Sequence, residues 1–162
     1  MEIYHGGTEI IDSPKIDVGR PKLDFGPGFY LTSLYDQAKE WAMKIGDERN
    51  VRPIINKYEF DRDKSLENFR YLIFPEYDES WLQFVCDCRL GKTGYINYDI
   101  IEGGVADDRV KDTVRLFMTG YISMESALNR LKYFRPNNQI CILNQDVIIK
   151  HLKFVSYEIV GT

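Results

Sequence analysis

His5 is followed by two glycines, and a second pair, Gly26 and Gly28, stands just ahead of Tyr30. A histidine can transfer a proton near neutral pH or simply hold a hydrogen bond. A Gly-x-Gly step lets backbone come close to a neighbour, or makes a tight turn between loop and strand. Trp41, in Ala38-Lys39-Glu40-Trp41, offers an aromatic face or an ordinary core side chain. Asp107 and Asp108 are adjacent carboxylates that can serve as a base or can offset a helix dipole. Arg20 can face an anionic group or stay solvated in its loop, and Arg89 can touch a substrate or end a helix. The stretch Arg130, Lys132, Tyr133, Phe134 and Arg135 mixes basic and aromatic residues, as a single-stranded nucleic-acid surface does. Cations at a helix end explain it equally. Cys86 and Cys88 are two apart, which on a helix sends them to different faces as small buried hydrophobes.

The elements that must position these residues follow from periodicity. Met1–Tyr4 reads as a strand running into the His5-Gly6-Gly7 turn, and Ile10–Asp24 as a loop broken by Pro14, Gly19 and Pro21. Phe29–Thr32 is a short strand. Ser33 is a good N-cap, with Leu34, Ala38, Trp41, Ala42 and Ile45 at helical spacing and Gly46 as a stop. Ile54–Phe60 alternates as a strand, and Glu79–Leu90 carries a helical stripe. Tyr98–Ile101 is a strand ending at Gly103-Gly104. Helices are expected over Asp107–Met118, with its two acids in the first turn, and over Met124–Phe134, capped by Ser123. Gln139–Leu143 is a strand, Gln145–Lys150 a short helix and Phe154–Val160 a last strand. Strands and helices mix without βαβ regularity, which predicts an α+β class.

Composition limits the function classes. At 162 residues, 44% hydrophobic and 14% aromatic, the chain predicts one domain spanning 1–162 with a real core. Twenty-one basic against twenty-five acidic side chains, net −4, weaken a wholesale nucleic-acid binder but leave room for a local patch. Phe25–Tyr35 is the longest run without charge, far short of the roughly 20 residues of a membrane span. Met1–His5 has neither a basic nor an apolar leader pattern. Three cysteines and two histidines in no metal spacing argue against a disulfide framework and a structural zinc. The expectation is a soluble, cytoplasmic protein with no membrane partner and no metal.

Taken together and in order, the motifs resemble the diphtheria-toxin/poly(ADP-ribose) polymerase branch of the ADP-ribosyltransferases. They are His5-Gly6, the Phe25-Gly26-Pro27-Gly28-Phe29-Tyr30-Leu31-Thr32 turn, Trp41 on the following helix and the late Gln139-Ile140-Cys141 strand. More closely, the chain resembles a small stand-alone bacterial family of that superfamily. The shared pattern includes Trp81, Phe84 and Arg89, then Tyr98-Asp99-Ile100, then Val105-Ala106-Asp107-Asp108.

The resemblance implies an ADP-ribosyltransferase-like fold, with two small, mostly antiparallel sheets flanked by helices. It implies NAD as ADP-ribose donor, with no metal. Gly6 would meet the nicotinamide carboxamide with its backbone and His5 a ribose hydroxyl. Tyr30 and Trp41 would wall the nicotinamide ring, Gly26 and Gly28 would bend the turn beneath it, and Arg20 would face the pyrophosphate. Gln139 would face the ribose where the better-known enzymes carry Glu. An amide orients a hydroxyl but is no base, so mono-ADP-ribosyl transfer is expected rather than chain elongation, with Asp107 or Asp108 as candidate base. The implied acceptor is a macromolecule, protein or nucleic acid. A toxin role in a toxin–antitoxin or phage-defence setting, with a small antitoxin-like partner, is in keeping with such relatives. A catalytically silent nucleotide- or partner-binding module and an NAD glycohydrolase are the alternatives.

Overall fold

Ile54–Phe60 buries its first three residues and then alternates buried and less buried side chains from Asn56 to Phe60, the period of a strand. It forms β3, the centre of a three-stranded sheet between β1 (Glu2–Gly7) and β7 (Leu152–Ile159), antiparallel to both. The second sheet runs β2 (Phe29–Leu31), β6 (Gln139–Ile142), β5 (Ile100–Gly103), β4 (Tyr71–Ile73). Only β4 and β5 pair in parallel. These elements come from a computed structural model, which describes residues 1–16, 20 and 22–161. The expected loop breakers Gly19 and Pro21 lie outside the described residues.

Strand alternation sorts the core into layers. Ile3 and Tyr58 of the first sheet meet Phe29, Leu31, Ile100, Ile140 and Ile142 of the second. Their sequence neighbours Ile101 and Cys141 point the other way, onto Trp81, Leu82, Val85 and Val114. These come from α3 (Glu79–Arg89) and α4 (Lys111–Met118), with α5 (Met124–Leu131) adding Ala127 and Leu131. The outer face of the first sheet takes α1 (Tyr35–Arg49) through Ala38, Ala42 and Ile55. The class is α+β, with two small, mostly antiparallel sheets and six α-helices among the described residues.

Several expectations need correction. Ser33 is not the cap of α1: Leu34 holds that position with no side-chain bond. Ser33 instead donates from its N–H and its hydroxyl to Asn138 Oδ1, each at 3.0 Å. Gly46 does not stop the helix, which runs on to Arg49 and closes at Asn50 in the left-handed region. Gly46 is small because a Cβ would come 2.9 Å from the Val51 carbonyl oxygen. The buried stripe is therefore Ala38, Ala42 and Gly46, and Trp41 is left 47% exposed rather than core.

Asp107 and Asp108 are not first-turn acids, because α4 begins at Lys111. Asp107 Oδ1 accepts from the Arg109 N–H at 3.0 Å, the local turn an aspartate offers in competition with helix. The helix capped by Ser123 ends at Leu131, short of Phe134, and the last strand starts at Leu152. Sequence periodicity missed α2 (Arg62–Asn68), β4 and the 3-10 turn Gly94–Asn97. It foresaw α6 (Gln145–His151) one residue short.

Candidate active site

The two sheets touch edge to edge at one antiparallel bridge and then part. Tyr4 and Thr32 exchange both backbone hydrogen bonds at 2.8 Å. Backbone groups in an antiparallel ladder alternate in direction, so the amide and carbonyl of Gly6 turn to the same edge as those of Tyr4, away from β3. Among the described residues, no backbone hydrogen bond carries Gly6 across to Tyr30, the next place on β2. A donor and an acceptor thus stand side by side at the fork between β1 and β2.

The place of that bond is taken by a side chain. His5 Nδ1–H donates to the Tyr30 carbonyl oxygen at 2.7 Å. A carbonyl only accepts, so Nδ1 carries the proton, and Nε2 of the neutral ring is left as an acceptor. The ring stacks on Phe29, with centroids 4.7 Å apart. Burial pushes the imidazole below its ordinary range, opposed by the bond to Tyr30.

Tyr30 itself braces the glycine turn. Its hydroxyl donates to the Gly26 carbonyl at 2.6 Å and accepts from the Phe25 N–H at 2.9 Å. Burial drives this phenol far above the usual tyrosine range. Gly26 has a φ of 92°, and a Cβ there would stand 2.6 Å from the Tyr95 ring. A Cβ on Gly28 would meet Cys141 Sγ and the Ile142 carbonyl at 2.5 Å. A Cβ on Gly6 would run into the Ala38 carbonyl of α1. All three glycines are thus accounted for by packing within the chain.

Tyr30 pairs with Cys141 across β2 and β6, so Gln139, two residues away, shares its face of the sheet. Gln139 is buried, and its Nε2 donates to Asp24 Oδ2 at 3.3 Å and to the Gly104 carbonyl at 3.2 Å. Asp24 was not foreseen. It is 8% exposed and also accepts from Arg89, at 2.8 Å from Nε and 2.6 Å from Nη2, and from the Ala106 N–H at 3.0 Å. A carboxylate this deep is tolerable only with such pairing. Arg89, expected either at substrate or as a helix end, is spoken for by Asp24. The one sign of Asp24 in the sequence is its place next to the Phe25-Gly26 turn.

The role of Asn138 was also unforeseen: it clasps α1 to β6. Beyond its bonds from Ser33, its carbonyl accepts from Gln37 Nε2 at 2.6 Å. The remaining candidates lie farther out. Trp41 sits on α1 between Ala38 and Ala42, turned outward, with Lys44 Nζ 5.5 Å from its ring centre. Asp107 accepts from Asn137 Nδ2 at 2.7 Å and pairs with Arg109 at 3.0 Å. Asp108 is at the surface, held below the ordinary aspartate range by its hydrogen bond from Lys111. Both line a hollow with Gln37, Glu40, Arg109 and Asn137. A second hollow lies over Arg70, Tyr95, Asp99 and Gln145. His5, Tyr30 and Gln139 line neither hollow. Arg20 is exposed. Cys86 and Cys88 are buried, as expected. Among the described residues no group of His, Cys, Asp or Glu could hold a metal ion, and no helix is long and apolar enough to cross a membrane.

No curated protein and no solved structure matches this chain. A family model described as "Protein of unknown function (DUF3990)" matches residues 1–154. That match takes in β1, β2, α1 and β6, and with them every residue of the fork, so the chain belongs to the DUF3990 family.

Proposed function

We propose that this chain binds NAD at the fork between β1 and β2 and transfers one ADP-ribose to a macromolecular acceptor. The observation that carries the reading is the backbone edge of Gly6, buried and without a hydrogen-bond partner on the β2 side among the described residues, which presents one N–H and one C=O. A primary carboxamide needs that complementary pair, and nicotinamide carries one. His5 Nε2, an acceptor beside that edge, suits a ribose hydroxyl. The division into two small sheets is in keeping with the ADP-ribosyltransferase-like fold.

In the reaction the bond between ribose C1 and the nicotinamide nitrogen breaks, and its electron pair stays on nicotinamide, which leaves neutral. The positive charge passes to an oxocarbenium-like ribose. A nucleophile of the acceptor forms the new bond to C1 and gives up its proton to a base or to water. The chain's share is positioning: Gly6 holds the carboxamide, His5 the ribose, and Tyr30 keeps the glycine turn in shape. Bringing nucleophile and C1 to about 3–3.5 Å removes up to about 7–11 kcal/mol of such a barrier. Both acids are ion-paired, Asp107 with Arg109 and Asp108 with Lys111, and Asp107, 28% exposed against 81%, is the candidate to take the proton. Trp41 is the candidate outer wall for the nicotinamide ring.

The test is to incubate the purified chain with labelled NAD and cell extract, beside a His5→Ala variant. Nicotinamide release with label on protein or nucleic acid is expected of the wild type alone. No release, no label and NAD binding no tighter than in the variant overturns the reading. The amide at position 139 favours a second reading, a module that binds NAD or a similar nucleotide without turnover. Tight NAD binding with no nicotinamide released would select it, and free ADP-ribose without labelled macromolecule would select a glycohydrolase.

A further inference from the structure

The Gln139 side chain has only one chemically acceptable orientation. Its two protein partners, Asp24 Oδ2 and the Gly104 carbonyl, are both acceptors, at 3.3 and 3.2 Å. A flipped amide would set oxygen against oxygen at both contacts. The nitrogen therefore points inward. Among the described residues Oε1 receives no hydrogen bond, and the sealed polar side-chain atom without a partner is His151 Nε2, not this one. Oε1 is left to accept from a ligand.

Both inward acceptors are in turn held by α3. Trp81 Nε1 donates to the Gly104 carbonyl at 3.0 Å, and Arg89 grips Asp24 Oδ1 from Nε and Nη2. Trp81 is fully buried and Arg89 largely so. The two residues spaced along one helix thus fix the two groups that orient Gln139, Trp81 at the Gly104 carbonyl itself and Arg89 through the other oxygen of the Asp24 carboxylate.

We propose that Asp24 is a positioning residue of the NAD site: with the Gly104 carbonyl it locks the Gln139 amide so that Oε1 faces the ribose. This deepens the function proposed above and rests on it. Gln139 then does the orienting half of a glutamate's work, and Asp24 is the reason an amide stands there. A glutamate at 139 would press a second carboxylate against Asp24 and a carbonyl, with no proton between them. Introducing a glutamate at position 139 alone is therefore harmful in this chain.

The experiment uses the full chain and NAD itself, with binding measured by calorimetry from pH 5 to pH 8 for wild type, Gln139→Glu and Asp24→Asn. Gln139→Glu is expected to bind NAD about tenfold or more weakly at pH 8 and to regain affinity toward pH 5. There the two carboxylates share a proton, because like charges at this distance raise one pKa strongly. The same proton makes its folded-state pKa higher than its unfolded one, so the loss of thermal stability also shrinks as pH falls. The other groups around the pair are Arg89 of α3, charged throughout, and Tyr30, Tyr77, Cys86, Cys88 and Cys141. Burial raises these phenols and thiols, so they stay neutral over the window. Asp24→Asn sets an NH2 either against Arg89 or against Gln139 and the Ala106 N–H, loosens the lock on the Gln139 amide in both cases, and is expected to weaken NAD about tenfold at all pH values.

Wild-type binding matched by both variants, with no pH trend in Gln139→Glu, overturns this inference and leaves the proposed function standing. Failure of the wild type to bind NAD overturns both. If Gln139→Glu is unstable at pH 8, Asp24→Asn and the pH trend of unfolding still decide the matter.

Discussion

His5 Nδ1 and the backbone oxygen of Tyr30, 2.7 Å apart, bridge the two sheets where their strands diverge. A side chain thus takes the Tyr30 carbonyl that a continued β1–β2 ladder would have given to Gly6, which is itself buried. The same bond sets the tautomer and leaves Nε2 as acceptor.

His5 should therefore titrate late on acidification. Its folded-state pKa is lowered by burial, so stability is present above the unfolded value of about 6.5 and is lost as pH falls through the folded one. Assigned histidine signals in NMR should show a His5 midpoint below 6.5, and thermal unfolding of His5→Gln should depend less on pH between 7 and 5. A midpoint at or above 6.5 contradicts the buried, neutral ring.

Gly6→Ala should cost stability before it touches any activity. The new Cβ would collide with the Ala38 carbonyl of α1, a backbone atom that cannot swing aside. Overpacking of this kind costs about 1–3 kcal/mol, so urea unfolding should show a loss in that range or above. Unchanged stability would mean that α1 does not sit against β1 as described.

The two tryptophans should separate cleanly by fluorescence. Trp81 is fully buried, with its indole N–H on the Gly104 carbonyl, whereas Trp41 is half exposed. Trp41→Phe should remove the red-shifted part of the emission and change stability by no more than about 0.5 kcal/mol. If Trp41 walls the nicotinamide ring, NAD quenches wild-type emission and leaves the variant's unchanged. Equal quenching in both removes Trp41 from the site.

The thiols should be silent in the native state. Burial pushes Cys86 up to about 11 and Cys88 up to about 12, and raises Cys141 as well. Thiolate, the reactive form, is scarce at neutral pH. A chromogenic disulfide reagent should react with all three only as the chain unfolds. Fast reaction of any one in the folded protein would contradict its burial.

Much of the fold could be read from periodicity. The bounds of β3 were foreseen to the residue, and α3 and α6 nearly so, because their apolar spacing is strong. Arg62–Asn68 was missed because this short, highly charged helix buries only Ser65, so its sequence carries no apolar stripe. Tyr71–Ile73 was missed because three residues hold no readable period, and β4 exists through pairing with β5. In the candidate site, His5, Gly6 and Tyr30 were singled out by the resemblance, and the structure brings them together where β1 and β2 diverge. Asp24 and the role of Asn138 were not foreseen, since both side chains act on partners distant in the chain.

Local chemistry was enough to mark out a histidine, paired glycines and a glutamine as unusual, and to predict an α+β chain with strands about where they lie. Residue type and near-neighbour spacing carry that information directly. The fork at Gly6, the outward turn of Trp41 and the orientation of the Gln139 amide depended on long-range contacts. Each arises where two segments far apart in sequence meet: β1 with β2, α1 with β1, and α3 with the loops around Asp24 and Gly104. Buried polar groups must find partners wherever the folded chain supplies them, and no short window of sequence names those partners.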